Sequence, residues 1–322
     1  MSNPSVLVES FSGSLGTFTG IDPIRFDEGL WLEEGTTNLV PNPVALTDTT
    51  GWTTLANRTL ERVTSLPAPL PDWLDGLVTT CFRVTAAITN PGSNIASFNI
   101  TLTAAAHVHS WYVYVPTNVT SAGVILTVAG FTSMTGTGTA TVNLGLRDQW
   151  QRVESATFTP DAGDLSGTMI LTGAGTMQAG QEIYFAAVQV EQRPRASSFA
   201  LNSFGDGYSG TTTHIRAASS ASVTIAEPAA VACWYREAYS GAKSFAYLEP
   251  YGTLGTYGSI AWSGGTLTLS TSRNLVIGPF AAFDRALTAN EQANLRSTQN
   301  WSMNSVNGSN IILPLSGRRR PR

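Results

Sequence analysis

Apolar residues in this chain come in short runs, often alternating with Thr, Ser or a charged residue, and clusters of Gly, Pro, Asn, Asp and Ser separate the runs. A two-residue period with such punctuation predicts strands rather than helices. Between positions 38 and 192 the runs are Leu60–Val63, Cys81–Thr85, Ile95–Leu102, Trp111–Val115, Val124–Val128, Thr139–Leu144, Arg152–Phe158, Thr168–Leu171 and Ile183–Val190. About nine strands at this spacing predict a single β-sandwich or jelly roll. The stretch Pro67 to Asp72 reads as a rigid extended loop. A second set, Val223–Ile225, Val231–Tyr235, Phe245–Leu248, Ser259–Trp262, Thr266–Leu269 and Leu275–Phe280, predicts a smaller sandwich. It ends in the chain's best helix signal, Thr288 as N-cap with Glu291 three residues on, a capping box continued by Ala293 and Leu295.

The chain therefore divides into an N-terminal arm over 1–35, a jelly roll over 36–195, a turn-rich junction over 196–221, a compact sandwich over 222–297 and a C-terminal arm over 298–322. In the N-terminal arm Val6–Val8 and Thr17–Thr19 are short strands. Ile24–Phe26 and Leu30–Leu32 form a hairpin about Asp27-Glu28-Gly29. The arm is too short to bury a core of its own, so it docks on the first sandwich or pairs with a neighbouring subunit. Ile311–Leu313 in the C-terminal arm is a further strand, and Arg318-Arg319-Arg320 reads as a solvated end.

Composition narrows the picture. Charged residues make up only 12% of the 322 residues, and the net charge of −4 gives no drive toward nucleic acid or an anionic membrane. Lys243 is the sole lysine. Neither a signal peptide nor an apolar run of membrane-spanning length is visible. Cys81 and Cys233 stand far apart and read as buried thiols rather than a disulfide framework.

Catalytic signatures are missing: there is no Walker loop, GxSxG, HExxH or CxxC. Asp148, Glu154, Asp161, Asp164 and Glu182 sit at turns or strand edges with nothing pairing them as a glycosidase would require. No catalytic residue and no metal ligand is assigned. His107 and His109 share one face of a strand, but no third ligand is evident and they read as a solvent-facing pair. No cofactor is expected. Asp161, Asp164 and Asp206 lie in the loops that would suit a structural calcium ion, although no spacing matches a calcium loop.

Sugar recognition is the more serious chemistry, because aromatic faces are available at Trp52, Trp73, Trp111, Tyr112, Tyr114 and Trp150. Alternation puts Trp111, Val113 and Val115 on one face and Tyr112 and Tyr114 on the other, so Trp111 faces the core and the tyrosines face outward or into a groove. Tyr112, Tyr114, Trp52 and Trp73 are the candidate glycan-binding residues.

The stretch Pro23 to Pro43, with Arg25-Phe26-Asp27, Gly29-Leu30 and Glu33-Glu34-Gly35-Thr36-Thr37-Asn38-Leu39, resembles a module opening of tailed-bacteriophage virion proteins. There it introduces a sandwich similar to carbohydrate-binding modules of families 4 and 9. Gly51-Trp52, the run His107 to Pro116, Leu146 to Val153 and Ile183 to Glu191 resemble further strands of that family, with Ala186 where it usually has Asp. Ala196 to Phe199 and Thr213 to Ala218 resemble its exit, and Phe283 to Leu295 resembles the end of a concanavalin-like, laminin-G-type sandwich. The second sandwich is short for that type, which implies missing strands and an edge borrowed from a neighbour.

The resemblance implies an all-β protein of two tandem sandwiches that acts as a structural, non-enzymatic virion component. A minor tail or fibre-type protein and a capsid decoration protein both fit, and the alternative is a module recognising host-surface glycan. The partners implied are itself as a homo-oligomer, most simply a trimer, other virion proteins, and a host glycan. Nucleic acid and membrane are not implied. The protein would be made in the host cytoplasm and reside in the virion.

Overall fold

The computed structural model describes residues 6–9, 15–20, 30–32, 35–45, 47–54, 56–70, 74, 78–89, 94–120, 123–174, 177–197, 199–200, 214–216, 218, 220–237, 244–272 and 275–297. The expected strands Ile24–Phe26 and Ile311–Leu313 and the arginines of the C-terminal arm lie outside these residues. The chain is nearly all β and falls into two compact units, Thr36–Arg216 and a discontinuous unit of Met1–Gly35 with Ala217–Arg322. Among the described residues no helix is long and apolar enough to cross a membrane.

The inner unit is the expected sandwich. One sheet has five antiparallel strands in the order Trp150–Glu154, Val108–Tyr114, Glu182–Glu191, Cys81–Ala86, Arg58–Val63. The other has four, in the order Ala140–Thr141, Gly123–Ala129, Ser166–Ala174, Asn94–Thr101. The run expected over Arg152–Phe158 is two strands rather than one. After Glu154 the chain leaves the sheet at Ser155, whose backbone N–H donates to His109 O (2.8 Å), and Phe158–Pro160 pairs with Met134–Gly136 instead.

Alternation fills the space between the sheets with Phe82, Val84, Trp111, Val113, Ile183 and Phe185 from one side and Ile95, Phe98, Leu126, Met169 and Leu171 from the other. Trp52 stands at the centre, with ring centroids of Phe82, Phe98, Trp111 and Phe185 at 4.9, 4.6, 5.2 and 4.9 Å. Packing of this density makes large-to-small changes costly, about 3–5 kcal/mol for an aromatic residue.

A bulge in Glu182–Glu191 sets the way in and out of this unit. Ala187 takes a positive φ of 48°, and the register with the neighbouring strand shifts between Ala186 and Gln189. The shift returns Val188 and Val190 to the core. Asn38 staples it: its Nδ2 donates to Val188 O (3.0 Å), and its Oδ1 accepts the N–H of Val190 (3.1 Å) and of Val40 (3.1 Å). Buried Glu191 gathers Thr36 Oγ1 (2.5 Å), Gln189 Nε2 (2.5 Å), and the Ser197 N–H (2.9 Å) and Oγ (2.5 Å) on its carboxylate, with Arg193 Nη1 at 3.4 Å. Thr36–Asn38 also pairs antiparallel with His214–Arg216, so part of the expected junction belongs to this unit. The Thr36-Thr37-Asn38 motif thus acts as a clamp on the sandwich's two chain ends.

The outer unit corrects the expectation for the N-terminal arm. Val6–Glu9 pairs with Leu15–Gly20, which pairs with Ser220–Thr224. These strands continue through Thr266–Thr271, Gly258–Ser263 and Gly252–Thr253 as a six-stranded sheet. Leu30–Leu32 pairs with Leu275–Phe283 at the edge of a sheet that also holds Ala230–Glu237 and Ser244–Leu248. The strands that seemed to be missing from a shortened sandwich are supplied by the chain's own N-terminus, because each unpaired sheet edge offers a ready row of backbone partners. The inner sandwich is therefore an insertion in sequence within the outer one. The outer core holds Ile225, Val231, Cys233, Ile260, Leu267, Leu269 and Phe280. Helix Ala289–Ser297 carries the expected capping box: Glu291 Oε2 accepts the Thr288 N–H (2.8 Å), and the Glu291 N–H points back to Thr288 Oγ1 (3.4 Å). Cys81 and Cys233 are free and buried, and burial pushes each thiol up to about 12.

Candidate functional site

The structure relocates most of the residues chosen from sequence. Trp52 is only 7% exposed, is ringed by core aromatics and donates Nε1–H to Asn42 O (2.8 Å), so it holds the core and offers no face to a sugar. Trp73 lies outside the described residues. Tyr112 and Tyr114 do sit on the outer side of the five-stranded sheet, opposite to Trp111, but they are not open there. Their exposures are 2% and 8%. A second apolar cluster covers them, in which Leu66, Ala68, Leu70, Leu74 and Val78 of the Pro-rich segment lie over Val63, Cys81, Tyr112, Trp150, Ala186 and Ala187. Trp150 fixes this cover by donating its indole N–H to Ala68 O (2.8 Å). A sheet face with this many apolar outward residues must be covered by something, and here the chain covers its own.

The cover stops one row short. Strand register aligns Glu61, Arg83, Tyr184, Tyr114 and Trp150 as one continuous row across all five strands. Trp150 and Tyr114 are buried, and the Tyr114 ring meets Trp150 at 5.6 Å and Tyr184 edge-on at 5.9 Å. Tyr184 is half-buried, and beyond it the row is open: the side chains of Arg83 and Glu61 are 32% and 49% exposed. The next row outward is Thr59, Thr85 and Glu182.

Chemistry converges here. Arg83 pairs with Glu61 and lies 3.4 Å from Glu182, whose side chain is 31% exposed. The Tyr184 hydroxyl donates to Glu182, and Thr85 Oγ1 donates to the same carboxylate at 3.4 Å. The bond to Glu61 raises the pKa of Arg83 further above its ordinary value, and burial with the Glu182 bond pushes the Tyr184 phenol up to about 12. At neutral pH the patch is therefore an aromatic ring beside a fixed guanidinium and two carboxylates. Such a set donates to and accepts from vicinal hydroxyls while a ring lies against a sugar's C–H face.

Other candidates go elsewhere. Both histidines are buried, not solvent-facing. His109 donates Nε2–H to Gly138 O (2.8 Å) and accepts the Trp111 indole N–H on Nδ1 (3.0 Å), a neutral tautomer whose pKa burial lowers to about 4. His107 Nδ1 donates to Ala105 O at 2.6 Å. Asp164 spends its carboxylate on the backbone N–H groups of Thr132 and Ser133, which holds a turn, and Asp206 lies outside the described residues. Asp148 accepts the Thr117 N–H at 2.9 Å, and Glu154 accepts that of Ala196 at 2.9 Å. Ala186, where the resembled family has Asp, is buried beneath the cover. Among the described residues no three His, Cys, Asp or Glu side chains come together as metal ligands.

Sequence reading missed Arg83, Glu61 and Tyr184, and took Glu182 as an unpaired surface acid. Alternation alone points Arg83 away from Phe82 and Val84, and Tyr184 away from Ile183 and Phe185, so their outward facing was legible. Their adjacency was not, because it depends on which strands are neighbours.

No known protein-family profile and no curated protein sequence matches the chain. Solved structures do match in part. TmCBM61, solved in complex with β-1,4-galactotriose, is 14% identical over 48% of this chain and 99% of its own, at a TM-score of 0.35. The CBM22-1 xylan-binding domain of Xyn10C from Paenibacillus barcinonensis is 12% identical over 51% of this chain and 99% of its own, at 0.35. The enzymatically active domain of tailspike protein 4 from bacteriophage CBA120 is 11% identical over 48% of this chain, at 0.34, and the match spans 21% of that chain. An arabinose-bound MgGH51 α-L-arabinofuranosidase matches over 26% of its own length.

Proposed function

We propose that the inner sandwich is a glycan-binding module whose site is the open end of the row Glu61, Arg83, Tyr184, Tyr114. The observation that carries this reading is the row itself. One outward line of residues across five strands brings an aromatic face, a guanidinium and carboxylates together at a margin where the cover of that face stops among the described residues. Binding rather than cleavage follows from the carboxylates: Glu61 and Glu182 converge on one guanidinium instead of facing each other across a cleft. A glycan array probed with the full chain and with Tyr184→Ala and Arg83→Ala tests the reading. Hits that vanish in both variants support it, whereas no hits, or hits that neither substitution changes, reject it.

The resemblance of Pro23 to Pro43 to tailed-phage virion proteins supports a second reading, compatible with the first. In it the chain is a structural, non-enzymatic virion component, of the minor tail or fibre type or a capsid decoration protein, assembled as a homo-oligomer with a trimer as the simplest closed form. Gold labelling of purified particles that marks tails or heads would support it, and particles without label would reject it. Sedimentation at a mass of one chain would reject the oligomer.

A further inference from the structure

Resting on the glycan-binding reading, we infer that this site takes the terminal one or two units of an uncharged glycan rather than the middle of a chain or an acidic sugar. Space limits the length of glycan that fits. Along the strands, the row inward of Tyr184 is Val63, Cys81, Ala186 and Tyr112, all in the cluster beneath Leu66, Leu70, Leu74 and Val78. Across the strands, the row is closed at Trp150, which is bonded to the cover at Ala68. What is left open is two rows on three strands: Glu61, Arg83 and Tyr184, then Thr59, Thr85 and Glu182. At roughly 4.8 Å between strands and about 7 Å between successive same-face residues, the patch measures about 10 by 7 Å. That holds one or two sugar rings. The rest of a longer glycan leaves past the edge strand Arg58–Val63 into solvent and gains nothing further.

Charge selects against acidic sugars. Arg83 is already engaged by Glu61 and Glu182, so the patch carries two carboxylates against one guanidinium. A uronate or sialate brought here meets two negative groups and a cation whose two terminal nitrogens already face them. A neutral sugar offers hydroxyls that the carboxylates accept and C–H groups that lie against Tyr184.

Calorimetric titration of the full chain separates this inference from the reading beneath it. The probes are methyl β-galactoside, methyl β-glucoside and methyl β-xyloside, their β-1,4-linked disaccharides and hexasaccharides, and oligogalacturonates of two and six units. The expected result is a neutral series whose affinity changes less than threefold between two and six units, with the matching oligogalacturonate at least tenfold weaker. Affinity that climbs tenfold or more from two to six units, or oligogalacturonates that bind as well as neutral sugars, overturns the inference. Provided that binding still disappears in Tyr184→Ala, the glycan-binding reading survives that outcome. No binding by any probe, or binding that Tyr184→Ala leaves intact, overturns both.

Discussion

The two outer faces of the inner sandwich are made by the same alternation and differ in nearly everything else. Outward positions on the four-stranded sheet are mostly polar, Ser97, Asn99, Thr101, Ser166, Thr168, Thr127 and Thr141 with Ile125 and Ile170 among them, and include cross-strand pairs such as Thr168 to Asn99 Oδ1 at 2.9 Å. Hydroxyls and an amide outnumber the two isoleucines on that face, and water covers it at little cost. Outward positions on the five-stranded sheet include Val63, Cys81, Tyr112, Tyr114, Trp150 and Ala186, which water cannot cover cheaply, and the chain lays its own Pro-rich segment over them. The comparison shows why the aromatic residues chosen from sequence are buried. A face apolar enough to attract attention as a binding surface is also apolar enough to be sealed, and exposed polar groups are left at the margin, where the apolar row gives way to Tyr184, Arg83, Glu61 and Glu182.

The largest effect that sharpens this contrast is on stability. Leu74→Ala in the cover should behave as a core deletion and cost about 2–5 kcal/mol, whereas Thr101→Ala on the hydroxyl face should stay within about 0.5 kcal/mol. Urea unfolding of the two variants checks both, and equal losses would mean that the cover is not part of the core.

The layer between the faces predicts a pH effect of similar size. His109 is held neutral, with a folded pKa of about 4 below its ordinary 6.5, so the unfolded chain takes up the proton first. Its contribution is constant above about pH 6.5 and is lost as pH falls toward 4, about 3 kcal/mol in all. Burial lowers the pKa of His107 and His214 as well, and both act in the same direction. Urea midpoints at pH 7 and 4.5 should differ accordingly, and His109→Gln should flatten the slope between them.

Next in size is binding. Tyr184→Ala should weaken glycan affinity about 10- to 100-fold, the loss expected of a ring contact and its hydrogen-bonded neighbours, while Asn99→Ala on the opposite face changes nothing. The smallest effect concerns the seal: Trp150→Phe keeps an aromatic ring and removes the bond to Ala68 O, which should cost about 1 kcal/mol. Chemical denaturation resolves a change of that size. A loss of several kcal/mol would mean that the indole does more than this one bond.

Much of the fold was legible because alternation fixes which way a side chain points. Phe82, Val84, Trp111, Val113 and Phe185 all face the core as their sequence positions require. The capping box at Thr288 was legible for a related reason, since it is local. What sequence did not show depends on pairing over long separations. The use of Leu15–Gly20 and Leu30–Leu32 in the outer sandwich rests on partners about two hundred and more residues away, and no local pattern names a partner. The cover over Tyr112 was hidden for the same reason, because Pro67 to Leu70 reads as a loop wherever it lies. Nothing local marks Glu191 as buried, and only the return of Thr36 and Ser197 to its side makes it a clamp.

The measurement that bears most directly on the account is an NMR titration of the isotopically labelled full chain with a glycan selected on the array. The account predicts that the backbone amides that shift cluster on Thr59–Glu61, Arg83–Thr85 and Glu182–Tyr184, at the uncovered margin of the five-stranded face. Shifts confined to Ser97–Thr101 and Ser166–Thr168 on the hydroxyl face would contradict it.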